Sequence, residues 1–146
     1  MSDPFHQDAA DLANDARQLL IELDQAVPGA AAINAECRPP LDVIETASAV
    51  EVMIDVPGVP AESLRVAIRR GALLVVGAKI AGRIDPNARF HLAERSFGRF
   101  ARAVRIAGAF DAARAQATVS AGQLRVVLPR IAERRGRVVV IPVERG

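Results

Sequence analysis

Few residues in this 146-residue chain can do chemistry, and their types exclude more than they suggest. Lysine occurs once, at Lys79, beside eighteen arginines. A Schiff base or a lysine-held phosphate therefore has a single candidate. No Gly-Lys pair exists to build a G-x-x-x-x-G-K-[ST] phosphate loop. Cysteine occurs once, at Cys37, which rules out an intrachain disulfide and a cysteine-based zinc site. His6 and His91 are too few for a histidine-rich metal centre. The carboxylates, Glu62 and Asp111 among them, show no pairing beside a nucleophile. No constellation argues for catalysis, and neither a metal nor another cofactor is expected.

What remains is guanidinium charge, and it is unevenly placed. Residues 1–37 carry seven acids and one base, a net of −6. Residues 38–146 carry eighteen bases and ten acids, a net of +8. An acidic arm precedes a basic body, which suggests an interaction tail, nucleic-acid binding or attraction between chains. Against nucleic acid, the arginines alternate with apolar residues over many strands instead of forming one stripe. Aromatic residues for base stacking are scarce, at 3% of the chain. No specific nucleic acid is expected as a partner.

The elements that must position these groups read as follows. Residues 3–27 have a helical pattern. Asp3 is a cap with Pro4 behind it, Leu12, Ala16, Leu19, Leu20, Leu23 and Val27 recur at helical spacing, and Pro28-Gly29 ends the run. Residues 28–40 lack a period and end in two prolines, as a linker would. From Leu41 the period becomes two. Leu41–Glu45 is a short strand. Val50, Val52, Ile54 and Val56 alternate with Glu51, Met53 and Asp55, and Leu64, Val66 and Ile68 with Arg65, Ala67 and Arg69. Leu73–Gly77 is a continuous apolar run. Phe100, Val104 and Ile106 share a strand face with Arg102. Ala115–Ser120, then Leu124, Val126 and Leu128, flank an Ala121-Gly122 turn, and Val138–Val143 closes the chain. Residues 78–90 form a polar loop. Short strands with turn signals every 8–14 residues predict an all-β, immunoglobulin-like sandwich with a helical N-terminal arm and an extended C-terminal tail. No apolar run approaches the ~18 residues of a membrane span. The acidic N-terminus does not read as a leader, so a cytoplasmic location is expected.

These landmarks together resemble a small heat-shock protein with an α-crystallin domain, over roughly residues 39–143. Pro40-Leu41-Asp42-Val43-Ile44 matches the family's opening strand, and Val56-Pro57-Gly58-Val59 its Leu-Pro-Gly-Val turn. Leu73-Leu74-Val75-Val76-Gly77 resembles the Leu-x-Ile-x-Gly strand. His91-Leu92-Ala93-Glu94-Arg95-Ser96-Phe97-Gly98-Arg99-Phe100 resembles the His-x-x-Glu-Arg-x-x-Gly-x-Phe signature. Ala117 to Leu124 with Leu128-Pro129-Arg130 resembles Ala-x-x-x-Asn-Gly-x-Leu…Pro-Lys, and Ile141-Pro142-Val143 the terminal Ile-x-Ile/Val motif. Three departures stand out. Ala121 replaces the usual Asn, Arg130 the usual Lys, and Ala107-Gly108 a usual Pro.

The resemblance divides the chain into an arm (1–38), an α-crystallin sandwich (39–130) and a tail (131–146). It implies that Ile141, Pro142 and Val143 enter a groove lined by Leu64, Val66, Ile68, Ala117 and Val119 of another chain. The residues alone also allow an edge strand within the chain. It implies that Arg89, Phe90, His91 and Leu92 cross to pair with Leu41 and Val43 in the opening strand of a second chain; a mobile loop is the alternative. Arg102, alone in an apolar row, needs carbonyls or a carboxylate to offset its burial, with Asp42, Asp55 and Glu94 among the candidates; it is expected to be a structural arginine near that interface, or else an edge arginine reaching water. Phe5, Leu12, Leu19, Leu20 and Leu23 are expected to form a client-binding face, or else a helix packed permanently inside an assembly. The implied activity is ATP-independent holding of unfolding proteins by a homodimer assembled into larger oligomers. The alternatives are a basic β-domain that binds nucleic acid and a CS-domain-like co-chaperone, and the tail and the long loop argue against the latter.

Overall fold

The computed structural model describes residues 14–19, 21, 37–69, 71–131 and 139–146. Among the described residues, nine strands follow in chain order: β1 (Leu41–Glu45), β2 (Ala49–Asp55), β3 (Leu64–Arg69), β4 (Ala72–Lys79), β5 (Gly98–Arg105), β6 (Gln116–Ser120), β7 (Gln123–Pro129), β8 (Val139–Ile141) and β9 (Val143–Arg145). They form two sheets, one ordered β1-β2-β7-β6-β9 and the other β5-β4-β3-β8.

Strand alternation builds the core. Inward positions of the first sheet supply Val50, Val52, Ile54, Leu124, Val126 and Leu128. The second supplies Leu64, Val66, Ile68, Leu73, Val75 and Phe100, and all twelve are buried in one cluster. Branched aliphatics fill this thin interior without Tyr or Trp. Gly77 lies on the same inward face, opposite Leu64 on one side and Phe100 on the other.

The β4 run is buried on both faces. Its outward residues Leu74 and Val76, with Ala67 of β3, form a second cluster with Leu19 and half-buried Ala16. Those last two belong to a helical stretch over residues 14–19. The rest of the helix expected over 3–27, with Phe5, Leu12, Leu20 and Leu23, lies outside the described residues apart from Ile21, which is helical and exposed.

The closing Val138–Val143 run divides into two strands at Pro142. Proline has no amide hydrogen with which to continue a ladder, and the chain changes sheets there. β8 pairs antiparallel with β3, while β9 pairs parallel with β6.

Two of the three family departures prove to be one feature. The Arg130 guanidinium donates to the Ala107 carbonyl at 3.0 Å and bonds the Glu45 carboxylate at 2.6 Å. Gly108, at φ +85°, leaves the space this guanidinium occupies; a Cβ there would collide with it.

Candidate functional site

The groove forms where the edge of β3 faces the edge of β6 across the sandwich. Leu64, Val66, Ile68 and Ala117 are buried on these strands, and Val119 is half-buried. The tail fills the groove. Ile141 pairs with Val66, Val139 with Ile68, and Val143 with Ala117. Ile141 is 3% exposed and joins the main core, and Val143 packs against it from a partly buried position. Two residues apart in an extended chain, their side chains project to the same side. Pro142 between them is exposed. Beyond the motif, the Gly146 amide donates to the Val119 carbonyl at 2.8 Å, and Arg145 stands 3.5 Å from Glu62. No residue pattern marks these last two contacts, and the parallel pairing of β9 carries no periodicity signal.

The tail was expected to reach a neighbour; in this single chain it occupies its own groove. Eight residues separate Arg130 from Val139, a reach of about 26–29 Å when extended.

The second surface is the edge of β1. This strand pairs with β2 on one side, and among the described residues no strand lies on the other. Val43 and Ile44 are exposed along it. Residues 80–97 contain no strand, so Arg89, Phe90, His91 and Leu92 have no ladder partner within the chain. Phe90 is 69% and Leu92 75% exposed. With Ile84 and Phe97 they border an open hollow in the loop. Lys79 and Arg95 lie over the Phe97 ring, 5.8 Å and 4.9 Å from its centre.

Arg102 is half-buried on the inward face of β5, and its Nη1 donates to the Pro39 carbonyl at 2.9 Å. The partner found is thus a carbonyl, one of the two kinds of group that could offset its burial. The reason is local. Pro39-Pro40 holds the chain extended before β1, so the Pro39 carbonyl meets Arg102 and the Pro40 carbonyl accepts from the Asp55 amide at 3.1 Å.

The third surface is the outer face of the β5-β4-β3 sheet, where Leu19 sits 7% exposed on Ala67, Leu74 and Val76. Asp15 in the same helical stretch forms an ion pair with Arg69 of β3.

Nothing among the described residues assembles a catalytic or metal centre. No group of three or more His, Cys, Asp or Glu side chains converges, and His91 is exposed. Partial burial raises the Cys37 pKa above the usual thiol value, with Lys79 acting in the opposite sense. Its Sγ lies 3.6 Å from the Gly98 carbonyl. No helix among the described residues is long and apolar enough to cross a membrane.

Comparison with known proteins gives this arrangement its context. The Hsp20/alpha crystallin family profile matches residues 42–144. Heat shock protein 16 of Schizosaccharomyces pombe is 33% identical over 125 residues, covering 83% of this chain and 82% of that one. The 18.9 kDa heat shock protein of Oryza sativa subsp. japonica is 31% identical over 121 residues, covering 81% and 68%. Among solved structures, Heat shock protein 16.0 of S. pombe superposes with a TM-score of 0.64 at 32% identity, covering 70% of this chain and 94% of that one. A small heat-shock protein from Xylella fastidiosa, described as having a distinct high order structure, gives 0.61 at 25% identity over 70% and 94%. With a family match over most of its length and relatives of nearly its own size, the chain belongs to the Hsp20/alpha crystallin family of small heat-shock proteins, a family of chaperones.

Proposed function

We propose that the protein is an ATP-independent holdase, which binds unfolding proteins and keeps them from aggregating. One observation carries the reading: short, separable segments cover apolar surface that would otherwise be open. The three-residue strand with Ile141 closes the groove between the sheets, and Leu19 closes the outer face of β3 and β4. Lifting either exposes branched aliphatic side chains to whatever apolar segment is nearby.

The same surfaces support an assembly. Exposed Phe90 and Leu92 stand on a loop long enough to leave the body, and Val43 lies on an unpaired strand edge. Placing the loop of one chain on β1 of another completes both and gives a strand-exchanged homodimer. Ile141 and Val143 of one dimer then enter the groove of the next. Burying the two side chains contributes roughly 3–6 kcal/mol gross. Ordering the tail and losing translational freedom offset much of that, so one contact exchanges readily. A ring of such contacts holds firmly through effective concentration. A cytoplasmic location fits these readings.

The test is light scattering of a heat-denaturing enzyme with this protein present and nucleotide absent. Scattering suppressed at near-stoichiometric ratios supports the holdase. Unchanged scattering at excess protein overturns it.

A further inference from the structure

The outer face of the β5-β4-β3 sheet has the composition of a receptor. Its floor is Ala67, Leu74 and Val76, small or branched residues that leave a shallow apolar surface. Strand alternation puts Arg65, Arg69, Arg99 and Arg105 on the same face, around that floor. A sheet face that only had to meet water would not need an apolar centre. One that only had to be buried would not need an arginine rim.

The helical stretch over residues 14–19 shows what fits. Leu19 enters the floor, Ala16 packs beside it, and Asp15 meets Arg69. The second carboxylate oxygen of Asp15 is buried and has no hydrogen-bond partner among the described residues. The wider charge pattern agrees, with a net of −6 over residues 1–37 against +8 over the rest.

We propose that this face is a docking site for acidic amphipathic helices. The chain's own arm occupies it at rest, and helices of the same chemistry, supplied by an unfolding protein, occupy it when the arm leaves. This extends the holdase reading by naming a class of segment the protein captures, and rests on that reading only for the source of the helix. Capture is by competition. The apparent affinity for an incoming helix is reduced by the fraction of faces already covered. Recognition weakens with salt, because a partly exposed ion pair contributes to it.

The experiment uses the full chain and a fluorescein-labelled peptide of residues 3–27, followed by fluorescence anisotropy. Leu19→Asp removes the anchor of the resident helix while leaving the sheet untouched. The peptide is expected to bind this variant about tenfold more tightly than the wild-type chain. Adding Arg69→Glu to it should abolish the gain, and Arg69→Lys should retain part of it. Raising salt from about 50 to about 500 mM should weaken binding several-fold. A peptide with its acids replaced by lysine should not bind. Circular dichroism on each variant confirms an intact sandwich, and Asp15→Asn is a second, milder way to loosen the resident helix. Equal binding to wild type and Leu19→Asp, or binding indifferent to Arg69→Glu or to the lysine peptide, overturns the docking site. Peptide capture without suppression of scattering leaves the docking site standing and overturns the holdase; suppression without peptide capture does the reverse.

Discussion

The ring of Phe100 fills the space that a side chain on Gly77 would need. The two residues are register partners on β5 and β4, and a Cβ at Gly77 would lie 2.9 Å from both the Phe100 Cε1 and the Leu64 Cδ2. The conflict is at the centre of the core, where neighbours have little room to give. Gly77→Ala is therefore expected to destabilise the domain by about 1–3 kcal/mol, read from the urea midpoint. Trimming the ring in the same chain, as Phe100→Leu, should recover part of the loss through their contact. An unchanged midpoint for Gly77→Ala would contradict the packing described.

The β6–β7 hairpin turns on Ala121 and Gly122, at φ +52° and +75°. Two successive positive φ values make this a turn that favours Asn-Gly, and alanine holds the first place at a steric cost. Ala121→Asn is expected to stabilise the domain by about 1 kcal/mol, seen as a higher melting temperature with an unchanged circular dichroism spectrum. Ala121→Val should do the opposite.

Replacing Ile141 and Val143 together by glycine removes both side chains that close the groove. Loss of the buried isoleucine alone costs roughly 2–5 kcal/mol wherever its groove lies, in its own chain or a neighbour's. Native mass spectrometry separates the two cases. A smaller oligomer supports tails that bridge chains, while an unchanged mass with a lower melting temperature assigns the tail to its own chain only.

Exposed Phe90 and Leu92 form the proposed exchange segment, so Phe90→Glu with Leu92→Glu should yield monomers. Light scattering after size exclusion reads the mass directly. Because both residues are exposed within a single chain, the monomer should keep its fold. A dimer surviving both substitutions sinks the exchange.

Cys37 titrates above the usual thiol range because burial disfavours its thiolate, an effect that Lys79 only partly opposes. Alkylation by iodoacetamide near neutral pH should therefore be several-fold slower in the folded chain than in urea. The linkage has a definite sign. With its folded pKa raised, the group's contribution to stability is complete below the unfolded thiol value of ~8.5 and is lost as pH rises through the folded one. A Cys37→Ala chain should lose less stability than the wild type over that alkaline window.

The strands were legible because alternation at Val50, Val52, Ile54 and at Leu124, Val126, Leu128 declares which side faces inward. The apolar run Leu73–Gly77 declared more, since a strand apolar on both faces requires a cover on each. Which element supplies the second cover was not legible. Leu19 and Ala67 are far apart in sequence, and nothing in either residue names the other. Arg102 showed a need for compensation, but a backbone carbonyl at Pro39 carries no side-chain signature. The β character of Val138–Val143 was legible, but its division into two strands at Pro142 was not. Nor was the parallel partner of β9, because one strand's pattern cannot specify the direction of the next.

The placement of one tail strand in each sheet has a consequence for the protein's own solubility. Sandwich edges with free amides and carbonyls invite strands from other molecules, and repeated pairing of that kind leads toward fibres. Here a single segment of three residues, a proline and three more caps one edge of both sheets at once. The two edges are therefore guarded together and uncovered together. A molecule whose task is to meet sticky chains keeps this side from becoming a template for them by one clasp, whose release and return govern both sheets in a single step.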